Sequence, residues 1–333
     1  MIRLSPKALR EYFDRIPTTD LYLRNPLAEL RRQGANVSPP RYISPNVYLV
    51  GKTGVIVRYG EAKDINRLRR AEAKHIIYIA DDDFVAGGTD PGLPERYRLK
   101  LRTFAESDWP TLKAAADIVI VPGTVLAEIY GAKARIVPPA WDRPPASTEH
   151  FAAAKHMEIA HLGTGSHRGD LTLIVAPLAK ILDRHPEARL TLFTGVNAPG
   201  PLRSHRHVRL RHPLSWWRYK RGLPKMRFHL ALYPLAPTAF NNARSANKLY
   251  EHALVGAASL MSPNPALRAA AGPEAAARFI DGDAAEWEAQ IEAHLAQPDA
   301  MRQQMEAARA HIHATDPLAY AALQWRDILA PEI

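Results

Sequence analysis

The chain has 333 residues, enough for two ordinary domains with separate cores, and 47% hydrophobic with 23% charged residues is a globular balance. It has no cysteine, which excludes disulfides and thiolate metal sites. The formal net charge of +10 suits a nucleic acid, an anionic membrane surface or a phosphorylated substrate, and no zinc-finger, basic-zipper or RNA-recognition signature favours the first.

The first twenty residues carry Arg3, Lys7, Arg10, Glu11, Asp14 and Arg15 with no apolar run of signal-peptide length. Nor does any later segment approach the ~20 apolar residues of a membrane span, so the expected compartment is the cytoplasm. Short apolar runs then alternate with amphipathic helical stretches, the pattern of parallel sheets covered by helices. Strands are expected at Gly54–Arg58, Ile76–Ala80, Asp117–Val121 and Arg135–Val137. The run Pro138-Pro139-Ala140-Trp141-Asp142-Arg143-Pro144-Pro145 breaks regular structure because proline lacks a backbone donor, and it reads as a linker. The alternation restarts with a strand at Met157–Leu162. A helix over Leu171–Arg184 follows, with Leu171, Ile174, Val175, Leu178, Ile181 and Leu182 on one face. Strands at Arg189–Phe193, Phe228–Leu235 and Ala257–Met261 come next, with a helix at Ala246–Leu254 between the last two. Beyond Asp283 the chain reads as helical to its end, interrupted at Pro317. The positive charge reads as spread along the chain, with one knot at Trp216-Trp217-Arg218-Tyr219-Lys220-Arg221. That knot suits either a membrane interface or a partly buried helix with a basic outer face.

Open parallel sheets bind ligands at the carboxyl ends of their strands. Two such junctions are rich in polar residues. The first, His161 to Asp170, contains Gly163, Gly165 and Gly169, which permit a tight turn and close ligand approach, with His167 and Arg168 beside them. The plain alternative is a tight turn in which Asp170 stabilises a helix start. The second, Pro234 to Glu251, leads a proline-marked loop into a helix whose first turns are expected to carry Arg244, Ser245 and Lys248. Arg244 and Lys248, four apart, would share a face near the positive helix end, a mismatch that an anion repairs. Glu251, one turn on, is then placed to accept hydrogen bonds from ribose hydroxyls. Alternatively, the cations are solvated and Glu251 pairs with Lys248.

The stretch Phe240–Glu251 resembles the carboxyl-domain signature of retaining GT-B glycosyltransferases, the large glycosyltransferase group 1 family. One branch reads approximately PL…FN..KS..K..E…G.P, and Phe240, Asn241, Arg244, Ser245, Lys248, Glu251 and Gly256 fall on those positions. Gly163, Ser166 through a shifted spacing, His167, Asp170 and Leu171 resemble its GS.TH..DL. Upstream, Ile77–Asp83 is similar to its YDIDDD, Ala115–Val121 to its ADxxxVS strand, and Tyr22–Pro26 through Gly34 to its opening. The ordered set spans most of the chain.

The resemblance implies an α/β GT-B fold, two Rossmann-like doubly wound domains facing a central cleft. Residues 1–140 would form an acceptor-side domain, 141–150 the linker, 151–315 a nucleotide-sugar-binding domain, and 316–333 a helix packing back on the first domain. It implies transfer of a sugar from a nucleotide-sugar donor to a glycan or lipid-linked acceptor, retaining and metal-independent, in cell-surface polysaccharide or glycolipid synthesis. His167, Arg168 and Lys248 take the catalytic positions. Gly163, Gly165, Asn241, Asn242, Arg244, Ser245 and Glu251 take the donor-binding ones. Asp81, Asp82 and Asp83 lie on the acceptor side, where a cleft-facing or loop-structural role suits them better than a metal site. No cofactor, no metal and no nucleic-acid partner is expected, and an anionic membrane surface is a further candidate partner. The sequence departs from the pattern at Ala243, where a Glu is usual, at Arg244 for Lys, at Ala257-Ala258, and at His229 for Asp. These departures also suit a weakened or non-catalytic nucleotide-sugar or glycan-binding protein, and a GT-B-fold sugar-nucleotide epimerase is the enzyme-class rival.

Overall fold

The computed structural model describes residues 14–152, 155–163, 165, 168–272 and 276–330. The chain builds two six-stranded sheets. In the first, β1 (Arg41–Ser44), β2 (Val47–Val50), β3 (Thr53–Val57), β4 (His75–Ile79), β5 (Ile118–Val121) and β6 (Ala134–Ile136) lie side by side in chain order. The four strands from β3 on are parallel, and β3, β4 and β5 are the β-branched, almost wholly buried runs expected of a sheet covered on both faces, with β6 at the exposed edge. β1 and β2 instead form an antiparallel hairpin that continues antiparallel into β3. The turns that permit this are Asn46 and Gly51, at φ 62° and 57°, where asparagine and glycine tolerate the left-handed region.

The second sheet is parallel throughout, in the order β12-β11-β10-β7-β8-β9. Its strands are β7 (Met157–His161), β8 (Ala188–Leu192), β9 (Val208–Leu210), β10 (Leu230–Tyr233), β11 (Ala258–Met261) and β12 (Arg278–Phe279). The order reverses between β7 and β10, so a crevice opens beyond their carboxyl ends. The loops that leave those two ends are the ones beginning at Leu162 and Pro234. The helix Val175–Arg184 covers this sheet with Leu178, Ile181 and Leu182 fully buried.

Several elements tie the two units together. The helix α1 (Asn25–Arg32) packs against α5 (Pro317–Leu329), and Trp325, fully buried, donates Nε1–H to the Tyr22 carbonyl at 2.6 Å. The chain breaks before α5 at Asp316, which takes φ 37° and caps the helix by accepting from the Ala319 amide at 3.0 Å. Phe240 and Ala243, which follow β10, are buried in the apolar cluster of the first unit. Phe240 sits so close to Gly87 that a β-carbon there would stand 2.7 Å from its ring.

The aromatic–basic knot is α3 (Trp216–Gly222), and helical spacing divides it into two faces. Trp216, Tyr219 and Lys220 point inward: Trp216 Nε1 donates to Asp20 at 2.9 Å, and Lys220 Nζ reaches Asn25 at 3.2 Å and Asp142 at 3.1 Å. Trp216 also packs on Trp141 of the proline-rich segment, ring centroids 5.4 Å apart. Arg218 and Arg221 face outward and are exposed. Among the described residues no helix is long and apolar enough to cross a membrane.

Candidate active site

A cavity of about 370 Å³ lies between the two units at the reversal of the second sheet. The first unit contributes Thr18, Tyr22, Arg58, Asp81, Asp82 and Tyr97 to its wall. The second contributes Leu162, Phe193, Tyr219, Arg244, Lys248 and Glu251 among others. A larger cavity of about 480 Å³ lies behind the proline-rich segment, but its lining is mostly apolar, and its carboxylates are already engaged, Glu29 by Arg32 and Gln33, Asp142 by Lys220 and Asp316 by the Ala319 amide.

On the first unit, Arg58 follows the end of β3 and Asp81 and Asp82 follow β4. Arg58 adopts φ 51°, a strained geometry for a side chain with a β-carbon, held by its amide bond to the Ile79 carbonyl and by Tyr78 OH donating to its own carbonyl. Its guanidinium bridges both carboxylates, reaching Asp81 Oδ2 at 3.0 Å and Asp82 Oδ2, and donates to Tyr97 OH at 2.9 Å. Thr18 Oγ1 donates to Asp81 Oδ2 at 2.5 Å. Burial pushes the Asp81 carboxyl above the ordinary aspartate value, with Arg58 opposing. Asp83 lies apart from this group: it caps the helix Phe84–Thr89, its Oδ1 accepting from the Ala86 amide at 2.9 Å.

On the second unit, the expected single helix start is a turn followed by a helix. Thr238 caps a short helix Ala239–Asn242, Arg244 and Ser245 follow in a turn, and α4 (Asn247–Leu254) begins only after them. Arg244 and Lys248 therefore do not share a helix face, because the chain closes one turn of helix before starting the next. They nonetheless meet in the cavity. Arg244 stacks on Phe240 at 4.8 Å, and its Nε and Nη2 are buried with no hydrogen-bond partner among the described residues. Burial disfavours its charge, and nearby Tyr233 and Asp82 more than restore it.

Lys248 Nζ donates to the Leu162 carbonyl at 2.8 Å and to Glu251 Oε2 at 2.5 Å. Glu251 is buried, and it also accepts from Tyr219 OH at 2.8 Å and Asn247 Nδ2 at 2.6 Å. The pairing of Lys248 with Glu251 is thus real, but it is a buried pair on the cavity wall rather than a solvated one. Asn247 in turn accepts from Trp141 Nε1 at 2.9 Å, linking the carboxylate to the segment between the sheets.

The remaining expected site residues lie elsewhere. Asn241 is buried and donates to Asp170 Oδ1 at 2.7 Å and the Ala236 carbonyl at 3.0 Å, fixing the loop rather than facing the cavity. Asn242 is exposed beside a shallow hollow outside the cleft. Gly163 is buried in the loop after β7. Gly165 and the exposed Arg168 border an open basin with Arg96 and Lys100, which touches the cavity through Tyr97. His167, with Thr164 and Ser166, lies outside the described residues. His229 sits at the amino end of β10, outside the cavity lining, its Nδ1 accepting from the Glu158 amide at 3.0 Å. The sequence reading missed Arg58, Tyr97 and Tyr219. Only Arg58 had a signal, as a charged residue at the carboxyl end of a parallel strand.

No protein-family model and no curated protein matches the sequence. Among solved structures, sucrose-phosphate synthase from Thermosynechococcus elongatus is similar at 16% identity and a TM-score of 0.56, over 84% of this chain and 74% of that one. Anabaena HepE, solved with UDP-glucose, is similar at 13% identity and a TM-score of 0.57, over 83% of this chain and 78% of that one. TarM of S. aureus, solved with UDP among other molecules, is similar at 8% identity and a TM-score of 0.57, and the chain spans only 54% of it. Likeness at these identities is one of fold, and the fold is GT-B: two Rossmann-like units facing a cleft.

Proposed function

We propose that the protein is a glycosyltransferase that takes a sugar from a nucleotide-sugar donor in this cleft and passes it to a glycan or lipid-linked acceptor. The observation that carries the reading is Arg244, whose buried guanidinium nitrogens Nε and Nη2 have no hydrogen-bond partner among the described residues, at the edge of a cavity between two Rossmann-like units. Unpaired buried donors cost stability, and a diphosphate would satisfy both. HepE and TarM, solved with uridine nucleotides, support a donor of that class.

In this reading Arg244 and Lys248 neutralise the leaving diphosphate. An ammonium has three donors, and Lys248 commits two of them within the protein, so one remains for a phosphate oxygen. Glu251 has lone pairs beyond the three it commits, enough to accept from a ribose hydroxyl. The wall of Arg58, Asp81, Asp82 and Tyr97 faces the acceptor. Two cations at the diphosphate make a metal dispensable, and Arg58 occupies the carboxylates that would otherwise attract one. The transfer retains anomeric configuration, with the donor phosphate assisting deprotonation of the acceptor. The product belongs to cell-surface polysaccharide or glycolipid synthesis.

A thermal-shift screen with UDP, GDP, CMP and their sugars tests this. The expected result is a rise in melting temperature with one nucleoside diphosphate, lost in Arg244→Ala, and turnover that persists in excess chelator. No stabilisation by any of them contradicts the donor site. Activity that vanishes with chelator and returns with manganese assigns Asp81 or Asp82 to a metal instead.

A further inference from the structure

The positive charge is not evenly spread. Between Glu187 and Glu251 there is no aspartate or glutamate, and residues 188–250 hold 12 of the 44 lysines and arginines, so this stretch carries +12 and the rest of the chain −2. Folding lays much of it along one flank of the second unit. β9 is the edge strand of its sheet, and Arg203, Arg206, Arg209 and Arg211 stand exposed before, on and after it. The carboxyl end of β9 points toward the cleft, and from Arg211 the chain runs directly into its wall, where Pro213, Leu214 and Trp216 line the cavity. Arg218 and Arg221 continue the charge on the outer face of α3. The inward Lys220 pairs with Asp20 and Asp142, whereas these six arginines pair with no carboxylate among the described residues.

We propose that this flank binds an acidic polysaccharide chain and leads it to the cleft. The cations exposed along β9 and α3 are arginines, whose planar forks match carboxylates and sulfates in a way lysine does not. Protection of a sheet edge against pairing would need charge of either sign on the strand itself. It does not explain the continuation onto a helix and into the cavity mouth. A bilayer is a poorer fit, because Trp216, Tyr219 and Leu223 of this region face inward, which leaves only the half-buried Trp217, beneath Arg218, and Leu214 as apolar groups near the surface. From Arg206 to Pro213 an extended chain covers about 20 Å, room for several sugar units. That the bound chain is the acceptor rests on the glycosyl-transfer reading; the binding itself does not.

The test compares wild type with the triple variant Arg206→Ser, Arg209→Ser, Arg211→Ser, all exposed positions, in titrations against polygalacturonate and neutral dextran of equal length. Vesicles of phosphatidylglycerol and a short DNA duplex are run alongside, and UDP binding and melting temperature are measured on both proteins. The expected result is polygalacturonate binding that weakens steeply between about 50 and 300 mM salt. The variant binds it at least tenfold more weakly with a shallower salt dependence, unchanged melting temperature and unchanged UDP affinity. Equal binding of polygalacturonate and dextran, or an unaffected variant, overturns the proposal. Tighter binding to vesicles or DNA than to polygalacturonate, lost in the variant, overturns it in favour of a bilayer or a nucleic acid. Absent UDP binding with polygalacturonate binding intact contradicts the donor site alone.

Discussion

At the scale of single residues, the cavity makes opposite demands on Arg244 and Lys248. Arg244→Ala removes a guanidinium with two buried nitrogens that have no partner among the described residues, so the melting temperature should hold or rise. Nucleotide binding should meanwhile weaken by about 1.5–3 kcal/mol, the worth of a charge-assisted hydrogen bond. Lys248→Met strips a buried carboxylate of its cation, leaving Glu251 with Tyr219 and Asn247 alone. That should cost about 3 kcal/mol or more of stability as well as binding. A Lys248→Met protein as stable as wild type would show that the pair does not support the fold. Two buried histidines set a pH dependence. Burial, with His150 nearby, lowers His229 to about 4, and burial, with Lys248 and His161 nearby, holds His252 well below the ordinary histidine value. The unfolded chain then binds protons that the folded one refuses, so stability is full above about 6.5 and falls as pH drops toward 4. Denaturant midpoints at neutral and mildly acid pH should show this slope, and His229→Asn, which keeps an acceptor for the Glu158 amide, should flatten it.

At the scale of elements, the legible parts of the sequence were the long ones. The strands β3 to β8, β10 and β11 and the helices after β7 and β10 announce themselves as short apolar runs or a 3.6-residue stripe. β9 and β12 do not, because three residues among arginines and two after a turn carry no periodicity. The β1–β2 hairpin had a signal in Pro45-Asn46 that the expectation of parallel strands obscured. Of the candidate site, Arg244, Ser245, Lys248 and Glu251 were singled out as the polar junction after a strand. The shared helix face inferred from their spacing is absent, because the chain breaks between two helices at Arg244 and Ser245. The Arg58 clamp was not, since its partners Asp81, Asp82 and Tyr97 come together only through strand order and a packed helix. The contact of Phe240 with Gly87 shows how elements of one unit steady the site of the other. Any side chain at Gly87 must displace Leu101 or the Phe240 ring on which Arg244 stacks. Gly87→Val should therefore weaken nucleotide binding although position 87 lies outside the cavity lining. Unaltered binding in Gly87→Val would mean that the stack does not position Arg244.

At the scale of the molecule, the cleft is a joint product. The first unit supplies the Arg58–Asp81–Asp82 wall, the second supplies Arg244 and the Lys248–Glu251 pair, and α3 braces both through Asp20, Asp142 and Glu251. Trp141 extends that brace to Asn247, so the segment between the sheets and the donor side share one hydrogen-bonded chain. Nucleotide occupancy of this cleft is the central claim, and calorimetry tests it most directly. Wild type and Arg244→Ala are titrated with the nucleoside diphosphate that stabilises best, at equal ionic strength and with melting temperatures in hand. On that claim wild type binds saturably and one-to-one, and an Arg244→Ala protein that is no less stable binds at least tenfold more weakly. Equal affinity in the two proteins would contradict it.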